Sequence, residues 1–421
     1  MELFEITGGS RLKGAVPIYG AKNSALPIMA ASILVDGETV LRNVPDLADV
    51  RQMQALLGRL GVKCERAADG SIHLTVRDEM NVHAEYDLVS KMRASVCVMG
   101  PLLGKRRRAQ VAMPGGCAIG DRPIDLHIRG LKALGADFDL VSGDVLLRAK
   151  KLEGAEIFLG GAFGTSVTAT ANVMMAACLA EGRTLIESAA CEPEVADLAN
   201  YLNACGAHIS GHGTPQIVVE GVKSLRGVEH SIIPDRIETG TFMIAAAITN
   251  GDLELHGARL EHLRAVVDLL RGIGVIIERG EKGIAVSSVR RLEPVQATTQ
   301  PYPGFPTDLQ AQLMALLCLA DGNSMITEKI FPDRFLHVAE LNRMGARLRK
   351  EGPTVIIEGV KRLIGAPVMA SDLRASAALL LAGLVAKGTT RVHRAYHIDR
   401  GYERIEERLA AVGANIRRMA E

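Results

Sequence analysis

Polar and apolar positions along the chain predict helices of two kinds, and both recur. The first kind is amphipathic and ends in an apolar residue and a glycine, after which an alternating strand begins. Its copies read LLGRLGVKCER, GLKALGADFDL, YLNACGAHISG, LLRGIGVIIER, ELNRMGARLRK and RLAAVGANIRR. Their glycines are Gly61, Gly135, Gly206, Gly274, Gly345 and Gly413, spaced 68 to 74 residues apart. A glycine there supplies the left-handed cap that stops a helix, and the alternation after it predicts a half-buried strand.

The second kind is rich in small residues and apolar on every side, as a fully enclosed helix is. It reads KNSALPIMAASILVDG, MRASVCVMGPLLG, TSVTATANVMMAACLAEG, IETGTFMIAAAITNG, DLQAQLMALLCLADG and DLRASAALLLAGLVAKG. Strands such as TVLRNVP and TLIESAA follow. The predicted unit is therefore strand, buried helix, strand, exposed helix, strands, repeated six times. A fixed period outweighs any single motif in assigning a fold. A chain of 421 residues also exceeds what one core covers. The expectation is an α/β protein of two similar lobes with three units each, apolar helices inside, sheets and exposed helices outside.

Composition narrows the function. With 49 basic and 48 acidic residues the net charge is +1, which argues against binding nucleic acid through bulk charge. Trp is absent and aromatics are 3% of the chain, which leaves little to stack on bases. Seven cysteines without a C-x-x-C pair predict reduced thiols, and the acidic, turn-rich start MELFEITGGSRLKG is no signal peptide. No apolar run is long enough for a bilayer. The expectation is a cytoplasmic protein with no membrane or nucleic-acid partner. No metal-ligand spacing and no complete phosphate-loop fingerprint stand out, and the basic run Lys105–Arg108 is expected to be an exposed loop.

Charges at the starts of enclosed helices need a reason, because an unpaired buried charge is costly. Those starts hold Lys22 and Asn23, Arg93, Ser166, Asp308, and Asp372 with Arg374; Arg122, Arg334 and Arg400 lie in loops. Helix N-termini with added cations suit a ligand carrying phosphate and carboxylate groups. Alternatively, Arg334 pairs with the preceding Asp333 and Arg400 with Asp399, each merely solvated. Cys117 sits after two glycines in AMPGGCAIGDRPIDLHIRG, an unusual place for a thiol used as apolar filler.

The stretches GAKNSALPIMAA, MRAS, PGGCAIGDRPIDLH, PDRIETGTF, FPTDLQAQ, DRFLHVAELNRMGA, ASDLRAS and YHIDRGYERIEE run in order from end to end. Together they resemble the UDP-N-acetylglucosamine enolpyruvyl transferases of the enolpyruvyl transferase family. The resemblance implies a two-domain inside-out α/β barrel of six β/α repeats. One domain would be residues 22–233, the other 1–21 plus 234–421, with the active site in the cleft between them. It implies phosphoenolpyruvate and UDP-N-acetylglucosamine as substrates and no cofactor. Asp308 would be the base. Cys117 would be the acid, or the thiol that transiently bonds the enolpyruvyl unit and that fosfomycin alkylates. Arg122 and Lys22 would hold phosphate, while Arg334, Arg374 and Arg400 hold the carboxylate. Asn23, Arg93, Arg122, Pro123, Ile124, Asp125, Leu126, Ser166, Val167 and Ile330 would line the UDP-sugar, with Asp372 nearby. One departure stands out: TSVTAT occupies the place of PSVGAT, so Thr168 replaces a glycine and its side chain either crowds the nucleotide or shifts the loop. Two rival readings are the shikimate-pathway enolpyruvyl transferase, which lacks the Cys117 loop and RPIDLH, and a silent UDP-sugar-binding paralogue.

Overall fold

In the computed structural model, described for residues 2–113, 123–162, 164–289 and 291–420, the six predicted units are present. Each contributes a four-stranded sheet with one pairing scheme: the first strand is parallel to the second, and the second and fourth each flank the third in antiparallel register. In one sheet Glu229–Ser231 lies parallel to Glu38–Arg42, which pairs with Ile72–Val76, which pairs with Val62–Arg66. The other five repeat it.

The apolar helices are enclosed because no face of them is polar. Lys22–Ala31, Val167–Ala177, Arg236–Ile248 and Leu373–Val385 bury almost every residue. The remaining two begin with a 3-10 turn, Arg93–Val98 before Met99–Arg106 and Thr307–Leu309 before Gln310–Leu317. Gly100 explains how closely two of them pack. A Cβ there would stand 2.2 Å from the Asn172 carbonyl oxygen. The amphipathic helices end as the sequence predicts, with all six capping glycines at φ between 83° and 106°. Helix Pro193–Ala204 is more enclosed than the pattern suggested, burying Glu194 and Asp197 as well as its apolar face. The basic run is not a loop. Lys105 and Arg106 close a helix, Arg107 is the left-handed cap and Arg108 opens a strand.

By backbone contacts the chain divides into two compact units, 2–19 with 234–420, and 20–113 with 123–233. Each has its own apolar core. The first unit is assembled from both ends of the chain. Strand Glu2–Thr7 pairs with Thr389–His393 and Asn415–Ala420, and Lys13–Pro17 runs parallel to Asp252–His256. Residues 17–19, the last before the chain leaves this unit, are fixed by a buried cluster. The Arg408 guanidinium bonds the Glu238 carboxylate and the Pro17 carbonyl and lies over the Tyr19 and Phe242 rings, and the Tyr19 N–H donates to Glu238 at 2.9 Å. Among the described residues, no helix is long and apolar enough to cross a membrane.

Candidate active site

In the first unit, three predicted residues converge. Asp308 stands in the 3-10 turn that opens an enclosed helix, Arg374 in the first turn of Leu373–Val385, and Arg334 in the loop before His337–Arg343. Arg334 Nη1 donates to Asp308 Oδ1 and Arg374 Nη2 to Oδ2, both at 2.8 Å. Arg334 therefore does not pair with its neighbour Asp333, whose carboxylate faces Lys350 at 3.6 Å. Asp399 accepts from both Nη atoms of Arg418. Arg400 closes the 3-10 turn Ala395–Arg400, which packs on helix Leu373–Val385.

The three charged side chains are unequally exposed. The Arg334 and Arg374 side chains are 7% and 5% exposed, the Asp308 side chain 24%. Burial alone would raise the Asp308 pKa, but Arg374 and Arg334 outweigh it and hold the carboxyl well below its ordinary range. It is a carboxylate at neutral pH, open on one side. Behind it Arg374 Nη1 donates to the Tyr402 hydroxyl at 3.2 Å, and Tyr402 meets Thr241 and Gln312. Asp372 caps the helix, its carboxylate accepting the backbone N–H groups of Arg374 and Ala375. It fixes where Arg374 begins.

Glu328 escaped the sequence reading. Fully buried, it accepts hydrogen bonds from the Thr299 hydroxyl (2.7 Å), the Thr307 hydroxyl (2.8 Å) and the backbone N–H groups of Ile330 (2.8 Å) and Phe331 (3.0 Å). Thr307 in turn accepts from Arg334 at 3.0 Å. One carboxylate thus sets both the Ile330 loop and the residue before Asp308. Only its acid type in TEKIF was visible beforehand; its four donors come from three separate segments. Glu328→Gln places an NH2 against a donor, so we expect a loss of about 1–3 kcal/mol, read by denaturant unfolding, and weaker substrate binding with it.

In the second unit, Lys22 opens helix Lys22–Ala31 and its Nζ lies 2.9 Å from Asp49 Oδ2, both side chains nearly enclosed. Asn23 and Arg93 are half-buried at helix starts. Pro123 and Asp125 are exposed while Ile124 and Leu126 are buried, at the start of helix Asp125–Ala133. Ser166 caps Val167–Ala177, accepting from the Ala169 N–H at 3.3 Å. Thr168, in place of the glycine of the resembling stretch, faces a neighbouring helix start. Its hydroxyl is bonded to His127 Nε2 at 3.1 Å, turned onto the protein's own imidazole. Cys117 and Arg122 lie outside the described residues. Among the described residues no group of three His, Cys, Asp or Glu side chains is placed to hold a metal ion.

The six-repeat fold is shared with solved proteins. The solved enolpyruvyl transferase NikO from Streptomyces tendae superposes with a TM-score of 0.91 at 26% identity, over 100% of this chain and 99% of that one. EPSP synthase from Acinetobacter baumannii, at TM-score 0.77 and 19% identity over both full chains, shares the fold. The chain belongs to the EPSP synthase (3-phosphoshikimate 1-carboxyvinyltransferase) family, whose profile matches residues 6–409. Among curated relatives, the UDP-N-acetylglucosamine 1-carboxyvinyltransferase of Methylacidiphilum infernorum is 53% identical over 100% of this chain and 99% of its own. That of Akkermansia muciniphila is 50% identical over 100% and 99%.

Proposed function

We propose that this protein transfers the enolpyruvyl group of phosphoenolpyruvate to the 3-hydroxyl of UDP-N-acetylglucosamine, releasing phosphate, the first committed step of peptidoglycan precursor synthesis. The observation that carries this reading is the full-length identity above one half with the Methylacidiphilum infernorum enzyme of that name.

The chemistry sets what the residues must do. The sugar oxygen bonds C2 of phosphoenolpyruvate while a proton adds to its methylene carbon. The tetrahedral intermediate then loses a methyl proton and phosphate, restoring the double bond. In this reading Asp308 accepts the hydroxyl proton. Its lowered pKa makes it a weak base toward an alcohol, so the proton moves as the C–O bond forms rather than before. Arg334 and Arg374 hold Asp308 and still have donors to offer, since each guanidinium carries five N–H groups. With Arg400 they take the carboxylate of phosphoenolpyruvate, and Lys22 with Arg122 takes its phosphate. Cys117 supplies the proton to carbon. Asn23, Arg93, Pro123 to Leu126, Ser166, Val167 and Ile330 hold the nucleotide sugar, and Asp372 sets the helix start beneath Arg374.

The test is phosphate release from phosphoenolpyruvate with each of two acceptors. Turnover with UDP-N-acetylglucosamine and none with shikimate 3-phosphate is expected. The reverse preference, or no turnover with either, would overturn the reading.

A further inference from the structure

His127 follows the stretch assigned to the nucleotide sugar, yet no part of the proposed reaction uses it. It is 2% exposed, and three segments converge on it through Asn172, which is fully buried. Asn172 Oδ1 accepts the Gly100 backbone N–H at 2.6 Å, and Nδ2 donates to the Val96 carbonyl at 2.9 Å. A backbone N–H only donates and a carbonyl only accepts, so these two partners fix which way the amide points. The remaining Nδ2 hydrogen faces His127 Nδ1 at 2.9 Å. Nδ1 must accept it, so the imidazole is neutral and carries its hydrogen on Nε2. That hydrogen is given to the Thr168 hydroxyl at 3.1 Å. Burial, with Arg93 adding to it, pushes the His127 pKa down to about 3, consistent with a neutral ring.

The polar chain therefore has one direction, Asn172 to His127 to Thr168. It joins the turn that starts at Arg93, the first turn of helix Asp125–Ala133 and the first turn of helix Val167–Ala177. Each carries residues placed above on the nucleotide sugar: Arg93, Pro123 to Leu126, and Ser166 with Val167. Thr168, which replaces the glycine expected in TSVTAT, is the chain's terminal acceptor. We propose that His127, held by Asn172 and locked onto Thr168, is a positioning residue that sets the nucleotide-sugar side of the site, with Thr168 as its partner in this protein. The inference rests on UDP-N-acetylglucosamine being the acceptor.

Thr168→Val keeps the shape, removes the acceptor and leaves the His127 N–H unsatisfied in the interior. We expect KM for UDP-N-acetylglucosamine to rise about tenfold, the size of one lost buried hydrogen bond, with kcat and KM for phosphoenolpyruvate changed less than about twofold on the same scale. Thr168→Ser, which keeps the hydroxyl, restores the native KM. A merely structural role would lower the melting temperature and the active fraction without separating the two substrates. Calorimetric binding of UDP-N-acetylglucosamine alone, to native and variant protein, serves as the second readout. Native protein that binds while Thr168→Val binds equally well overturns this inference alone. Native protein that binds none overturns the acceptor and the inference together. A nitrogen NMR spectrum placing the His127 hydrogen on Nδ1 also overturns it.

Discussion

Asp308→Asn is expected to lower phosphate release by about 10³-fold, the size of a lost general base, while the protein still binds UDP-N-acetylglucosamine. Asparagine preserves the shape and one acceptor for the two arginines but cannot take a proton. The same change removes the only acid in the Arg334 and Arg374 pair of contacts described above, so the fold is weakened too. The two effects separate by pH. Because the native pKa of Asp308 is lowered, its contribution to stability is fully present above the unfolded carboxyl value of about 3.9. It is lost only as pH falls through the native value. Native protein and Asp308→Asn should therefore differ in unfolding free energy at neutral pH and converge in strong acid, whereas the loss of turnover persists across the neutral range. Near-native turnover by a folded Asp308→Asn would remove this residue from the chemistry.

Arg408→Met carries the largest expected effect on folding. It strands the Glu238 carboxylate, 3% exposed, which Arg408 now bonds, and frees the Pro17 carbonyl. Breaking one side of a buried pair costs about 3–5 kcal/mol. Burial already raises the Glu238 pKa against the pull of Arg408, and without the arginine it rises further. A carboxyl with a raised native pKa binds its proton more readily folded than unfolded, so the variant loses stability as pH increases and regains part of it in acid. Adding Glu238→Gln should recover much of the loss, since the uncompensated charge is gone. Denaturant unfolding at pH 5 and pH 8 checks both points; a single variant equally unstable at the two, with no rescue, would contradict them.

Why the six repeats were legible is plain from Gly61 and Gly413. A helix that stops on a left-handed residue needs glycine, and a helix with no polar face needs enclosure; both are local demands written at each position. The candidate site residues that the sequence singles out include those at helix starts, as with Lys22, Asp308 and Arg374. Glu328, Asp49 and Tyr402 were not singled out, because their importance lies in partners distant along the chain. The sheet that joins Glu2–Thr7 to Thr389–His393 was hidden for the same reason.

From sequence alone came the period, the two kinds of helix, the cationic helix starts and the family resemblance, all of which depend on near neighbours and motif order. Only the folded chain decided that Arg334 holds Asp308 instead of pairing with Asp333, that Asp399 faces Arg418, and that Thr168 turns onto His127. Each is a choice among partners with the same charge or donor type, and such choices are made by distance and burial, which no linear pattern contains.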